Sequence, residues 1–158
     1  MIKRIGFTVL AVLALSIAAQ AADMDSGTWV MNVAKSTSSN GNLPRSNRYV
    51  ASMDGGYLIM KRHSVSKDGV TTTSNSISKH DGVARPSIGN EPDAVGMLFT
   101  ETRSDDFHRK GVWIAITGKA RRTMVTVISP DGRVKTVTTT NVDKDGKTFN
   151  AVSVFDKQ

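Results

Sequence analysis

The sequence predicts an all-β domain, an antiparallel up-and-down meander closed into a barrel of about eight to ten strands. Three observations carry this. Asp-Gly recurs at Asp54-Gly55, Asp68-Gly69, Asp81-Gly82, Asp131-Gly132 and Asp145-Gly146, with successive spacings of 14, 13, 50 and 14 residues. The runs between are rich in Val, Thr, Ile and Ser, whose β-branched members suit a pleated surface. No stretch beyond the N-terminal leader shows a sustained helical period with caps.

Each element follows from this punctuation. Asp-Gly suits a two-residue type I′ hairpin, because both central positions need φ > 0. A spacing near 14 leaves strands that are long for a globular protein. Strands are expected near 28–34, 46–53, 57–66, 70–80, 96–103, 107–117, 120–129, 133–142 and 147–156, with a short extra one around 83–88. "AKSTSSNGNLPRSN", Ala34 to Asn47, reads as a polar loop broken by Pro44. "RPSIGNEPDAVG", Arg85 to Gly96, reads as a second irregular connection. Closing the sheet removes two exposed edges. A two-sheet sandwich is the alternative, disfavoured because sandwiches need crossings between sheets rather than successive hairpins.

Residues 1–21 read as a signal peptide. Lys3 and Arg4 precede the apolar run "IGFTVLAVLALSIAA", and Ala19-Gln20-Ala21 is an A-x-A cleavage site. The run is short of the ~20 residues a membrane span needs, so no transmembrane anchor is expected after cleavage, and a periplasmic or extracellular location is. Residues 22–158 then form one domain, large enough for a core without disulfides. The chain has no cysteine, which closes off thiol catalysis, thiolate metal sites and thioether-linked haem. The formal net charge of +7 includes the two leader bases. The remaining excess is dispersed, with short clusters only at 61–63, 108–110 and 119–122. It predicts a soluble surface with some favour for anionic partners rather than a nucleic-acid footprint.

Gly27-Thr28-Trp29 resembles the Gly-x-Trp of lipocalins and the Gly-Thr-Trp that opens fatty-acid-binding-type barrels, together the calycins. The resemblance implies that Trp29 lies across the closed end of the barrel as a plug, with Arg121 or Arg122 as its basic partner from a late strand. The chain departs from fatty-acid-binding proteins where it holds the polar loop in place of two portal helices, and from lipocalins in lacking a C-terminal helix. It is also similar to small secreted bacterial proteins that share "GTW", a following Asn, "AKS" and a terminus like "VFDKQ". That likeness implies a compartment, not an activity.

Motifs for chemistry are sparse. His63 follows Lys61-Arg62 on a predicted strand, His80 precedes a turn, and His108 lies in "FHRKG". No pair of histidines has the i,i+2 spacing that puts two ligands on one strand face, so neither a metal nor a cofactor is expected. His63 is the one weak catalytic candidate, as an acid or base. There is no G-x-S-x-G elbow and no phosphate-cradling glycine loop. "GVWIAIT" and "MVTVIS" are apolar on both faces, so their outward face is a candidate dimer surface. Strands such as "VTTTSNSIS" and "KTVTTTN" bring hydroxyls to the interior, suiting a polar or amphiphilic ligand over a purely aliphatic one. The expectation is a secreted ligand-binding barrel for a small amphiphilic or polar molecule, with Lys61, Arg62, Arg121 and Arg122 orienting an anionic group. The alternatives are a barrel-hosted hydrolase or isomerase, and an envelope module that binds anionic polymers on its outer face.

Overall fold

The computed structural model describes residues 23–89, 96–116, 121–142 and 145–158. The predicted signal segment lies outside them, as does much of the 85–96 connection. Among the described residues there are eleven strands: β1 (Gly27–Met31), β2 (Thr37–Ser38), β3 (Ser46–Asp54), β4 (Tyr57–Val65), β5 (Thr71–Ser78), β6 (Arg85–Gly89), β7 (Met97–Arg103), β8 (His108–Ala115), β9 (Arg121–Ile128), β10 (Val134–Val142) and β11 (Thr148–Lys157). From β3 to β11 each pairs antiparallel with the next. β1 pairs with both β3 and β11, which closes a ten-stranded ring. β2 adds onto β11 alone. The short strand expected around 83–88 is β6, a full member of the ring.

The first strand is shorter than the 28–34 expected. At Asn32 the chain turns into a single 3-10 turn, Val33–Lys35, because the Asn32 side chain accepts the Lys35 N–H. It rejoins β11 three residues further along as β2, at Val152 instead of Phe155. The segment expected as a plain loop thus contains a capped turn and a strand fragment.

The hairpins use Asp-Gly differently from the type I′ expectation. Among the described residues none of the five aspartates has positive φ, whereas every glycine that follows them does. At 66–70 and 129–134 the Gly69 and Gly132 N–H groups reach the carbonyls of Ser66 and Ser129, and only the glycine is left-handed. These are longer hairpin loops that need one permissive residue rather than two. At the β3–β4 turn the two positive-φ residues are Gly55 and Gly56, so Asp54 ends the strand instead of entering the turn.

Alternation puts one face of each strand inside. The inner core at one end packs Trp29, Met31, Tyr49, Ala51, Leu58, Ile128 and Phe155. Trp29 is fully buried there, stacked on Tyr49 at 6.4 Å between ring centroids, with Tyr49 edge-on to Phe155 at 5.1 Å. The "GVWIAIT" strand turns Trp113 and Ala115 inward, leaving Ile114 and Ile116 42% and 69% exposed. Val125 and Val127 of β9 are also exposed, opposite Lys110 and His108 of β8, while Ile114 lies opposite Arg121.

Candidate functional site

The ring encloses a cavity of about 750 Å³. Its lining runs from Asn40, Leu43, Pro44, Lys67 and Asp68 at the mouth to Asp25 and Lys135 at the floor. This size suits a small organic ligand. The wall has two characters. Ser64, Thr72, Ser74, Ser76 and Ser87 contribute hydroxyls from β4, β5 and β6. Next to them, on β7 and β8, Phe99 stacks on Trp113 at 4.3 Å between centroids, and the Trp113 indole N–H approaches Met124 Sδ at 3.4 Å. Gly111 makes this aromatic shelf feasible. A Cβ there would sit 2.9 Å from Met124 Cγ and 3.0 Å from Phe99 Cε2, closer than carbon atoms pack.

The floor is a buried charge cluster contributed by five parts of the chain. Residues 23–26 form a turn ahead of β1, with the Ser26 N–H bonded to the Asp23 carbonyl, and this turn carries Asp25 under the barrel. The Asp25 carboxylate accepts from Lys135 Nζ of β10 at 2.7 Å, and its other oxygen meets Arg109 Nη2 of β8. His80, between β5 and β6, brings Nδ1 within 2.9 Å of Glu101 Oε2 on β7 and Nε2 within 4.0 Å of Asp25 Oδ2. The first is an ion-pair distance whose angles fall outside hydrogen-bond geometry. Burying charges is tolerated only where they are paired like this.

Two pKa values record that environment. Burial holds the Lys135 ammonium below its usual range, with Asp25 opposing it. Burial, followed by the charges of Asp25 and Glu101, pushes the Tyr49 phenol well above its usual value of 10.0.

Trp29 closes the floor. Its indole N–H donates to the Asp25 carbonyl at 2.8 Å, Lys135 Nζ lies 4.2 Å from its ring centroid, and Lys157 Nζ lies 5.2 Å away. Gly27, two residues earlier, is needed for this. It has φ +128, and a Cβ would lie 2.7 Å from Lys157 Cε. The glycine of "GTW" therefore clears the path by which Lys157 crosses the tryptophan.

The sequence-predicted residues divide by face. Arg62 and Arg122 point inward and line the cavity. The Nε of each donates to an asparagine, Arg62 to Asn47 at 3.1 Å and Arg122 to Asn141 at 2.6 Å. β4 and β9 stand five strands apart in a ten-stranded ring, so these arginines belong to opposite walls. Arg121 is exposed and lines the rim. Lys61 is exposed on the outer face of β4, because its neighbours Met60 and Arg62 take the inward side. His63 is exposed on that outer face for the same reason, with the cavity on the other side of the sheet. The basic partner of Trp29 is Lys135 (backed by Lys157) rather than Arg121 or Arg122, since Arg122 pairs with Asn141 six residues along β10 from Lys135.

Sequence reasoning missed Asp25, Glu101, Arg109 and Lys135. Single charges spaced along β-branched strands carry no local pattern. The one available signal was their parity: Glu101 shares a strand face with Phe99, and Lys135 with Val137. Among the described residues no group of three or more His, Cys, Asp and Glu is arranged to hold a metal ion.

No family model matches the sequence, and no curated protein is similar to it. In structure the chain is similar to the redesigned beta barrel mFAP1 bound to DFHBI, at a TM-score of 0.44 and 14% identity, covering 88% of this chain and 100% of that one. It is also similar to the redesigned beta barrel mFAP0 bound to DFHBI, at a TM-score of 0.41 and 12% identity, covering 85% and 99% respectively.

Proposed function

We propose that this protein is an exported carrier that binds a small anionic amphiphile inside its barrel without transforming it. The observation that carries the reading is the charge of the lining. Arg62, Lys67, Arg109, Arg121, Arg122 and Lys135 face the cavity against Asp25, Asp68 and Glu101, six cations to three carboxylates. A low-dielectric enclosure magnifies that excess. Arg121 and Lys67 at the rim, then Arg62 and Arg122 within, draw an anion inward. The hydroxyl wall and the Phe99–Trp113 shelf hold the two sides of its body. Export rests on the leader of residues 1–21. The exposed outer stripe of β8 and β9 is the face on which two copies would pair.

The test uses 1-anilinonaphthalene-8-sulfonate, a flat aromatic sulfonate that brightens in apolar surroundings. The expected result is saturable binding of one probe per chain. The Ser74→Phe variant, which fills the cavity from β5, should abolish it while keeping the melting temperature. Binding that survives the filled cavity would place the probe on the outer surface and end this reading. Native mass spectrometry of the exported protein reads any retained ligand and the subunit number together.

A further inference from the structure

The floor holds donors that its internal pairs leave over. Arg109 is 1% exposed and spends Nη2 on Asp25, while its Nε and Nη1 have no hydrogen-bond partner among the described residues. The same holds for Oγ1 of Thr126, 3% exposed and the direct cross-strand neighbour of Arg109. Both side chains line the cavity. Two guanidinium nitrogens and a hydroxyl, on directly paired residues of β8 and β9, are thus left over on the cavity wall. Buried donors of this kind are costly to leave unmade, and a guanidinium edge matches the paired oxygens of an acidic head group.

The surrounding charges determine when an anion can enter. Facing this point are Asp25 from the N-terminal turn, Tyr49 from β3, Glu101 from β7, Arg109 from β8, Lys135 from β10, and His80. Asp25 and Glu101 cancel Arg109 and Lys135, and the phenol stays neutral through the physiological range. Further out, Asp23 pairs with Arg103 and Asp81 with Arg85. With a neutral imidazole these four charges cancel, whereas an imidazolium adds one positive charge to them, beside the Lys157 ammonium 5.2 Å from the Trp29 ring centroid. His80 is fixed in place to make that difference. It is the one non-glycine residue with positive φ among those described, at 59°. Its backbone N–H donates to Ser78 Oγ at 3.1 Å, and the next residue bridges to Thr102. Such a conformation persists only where its surroundings impose it.

We propose that the floor is a proton-coupled anion site: the Arg109 edge and the Thr126 hydroxyl take the oxygens of a sulfonate- or carboxylate-class head group, and His80 gains a proton as the head group enters. An arriving anion adds a negative charge to a point where two carboxylates already face the imidazole. Asp25 Oδ2 lies 4.0 Å from His80 Nε2 and Glu101 Oε2 lies 2.9 Å from Nδ1, so an imidazolium there offsets the added charge. Imidazole changes charge near neutral pH more readily than other side chains. Affinity is therefore highest at low pH and falls as pH rises and the proton is lost.

This inference rests on the carrier reading, and its test separates the two. 1-Anilinonaphthalene-8-sulfonate, whose sulfonate stays ionised throughout, is titrated between pH 5.5 and 8 beside the uncharged N-phenyl-1-naphthylamine. The sulfonate should bind about tenfold more tightly at the acid end, equivalent to a shift of one pKa unit on binding. The neutral probe should change less than about twofold. Calorimetry in two buffers of different ionisation enthalpy should show proton uptake with the sulfonate alone. His80→Asn, which tolerates the left-handed backbone, should flatten the sulfonate profile. Thr126→Val should weaken the sulfonate and spare the neutral probe. Should His80→Asn fail to fold, the double variant His63→Gln/His108→Gln leaves His80 as the sole imidazole. NMR should then show its titration moved to higher pH by the sulfonate, and an unmoved titration would overturn the proposal. A pH slope that survives His80→Asn, or an equal slope for the neutral probe, would overturn it as well. If both probes bind with no pH dependence, this inference fails and the carrier reading stands. If neither binds at any pH, both fail.

Discussion

Replacing Asp25 with asparagine isolates the charge on which the floor depends. Asparagine keeps the shape of the side chain and leaves untouched the backbone carbonyl that accepts the Trp29 indole N–H. What disappears is a carboxylate 2% exposed, 2.7 Å from Lys135 Nζ and in contact with Arg109 Nη2. At an effective dielectric near 20, each such pair is worth about 4 kcal/mol before solvation costs. Desolvating the carboxylate offsets a large part of the two pairs. Their loss then leaves two buried cations facing Glu101 alone. The net penalty expected is about 3–5 kcal/mol, the range for breaking one side of a buried pair. Urea denaturation followed by tryptophan fluorescence measures it as a lower midpoint with an unchanged slope. Adding Lys135→Met to Asp25→Asn removes one stranded cation, so the double variant should be more stable than the sum of the singles by about 2 kcal/mol. A loss below about 1 kcal/mol for Asp25→Asn, or simple additivity in the cycle, would show that charge pairing is not what holds the floor.

Two further outcomes probe the same end of the barrel. Trp29→Phe keeps most of the buried volume but loses the indole N–H to Asp25 and the better face for Lys135; thermal or urea unfolding should show a cost of about 2–3 kcal/mol. For Tyr49 the folded-state pKa is raised, so its contribution is intact below pH 10 and is lost as pH climbs through the unfolded value toward the folded one. Wild type should therefore lose stability above pH 10 relative to Tyr49→Phe, and parallel pH–stability curves for the two would contradict the assigned shift.

The architecture was legible because it is written in local terms. Glycines that follow aspartates mark the turns, and β-branched runs such as Thr71–Ser78 mark the strands. Thr72, Ser74 and Ser76 of that strand face inward, while Thr71 and Thr73 face out. Turn type was harder to read, since Asp-Gly serves both the two-residue hairpin and the longer loops at 66–70 and 129–134. The sequence could not separate Arg62 and Arg122 within the barrel from Lys61 on its outer face and Arg121 at its rim, because only register decides which of two neighbours turns inward. The floor was not legible at all. Asp25 and Lys135 are 110 residues apart in the chain and meet only because β11 closes on β1. Arg109 looked like one base of a surface cluster because its neighbours His108 and Lys110 are exposed.

The break in the first strand at Asn32 shapes how cargo could come and go. β3 begins before β1 can pair with it, and β2 bonds to β11 on one side with no strand on its other side among the described residues. Beside the mouth, then, the enclosure is walled by the 39–45 segment through Leu43 and Pro44 instead of by a hydrogen-bonded ladder. The segment is tied near its ends, by the Ser39 N–H to the Asn150 carbonyl of β11 and the Arg45 N–H to the Val65 carbonyl of β4, so a guest broader than the opening displaces a few bonds here rather than a whole ladder. Elsewhere the hoop is laced by longer ladders, except where the short β6 pairs with β5 at two positions and with β7 at three among the described residues.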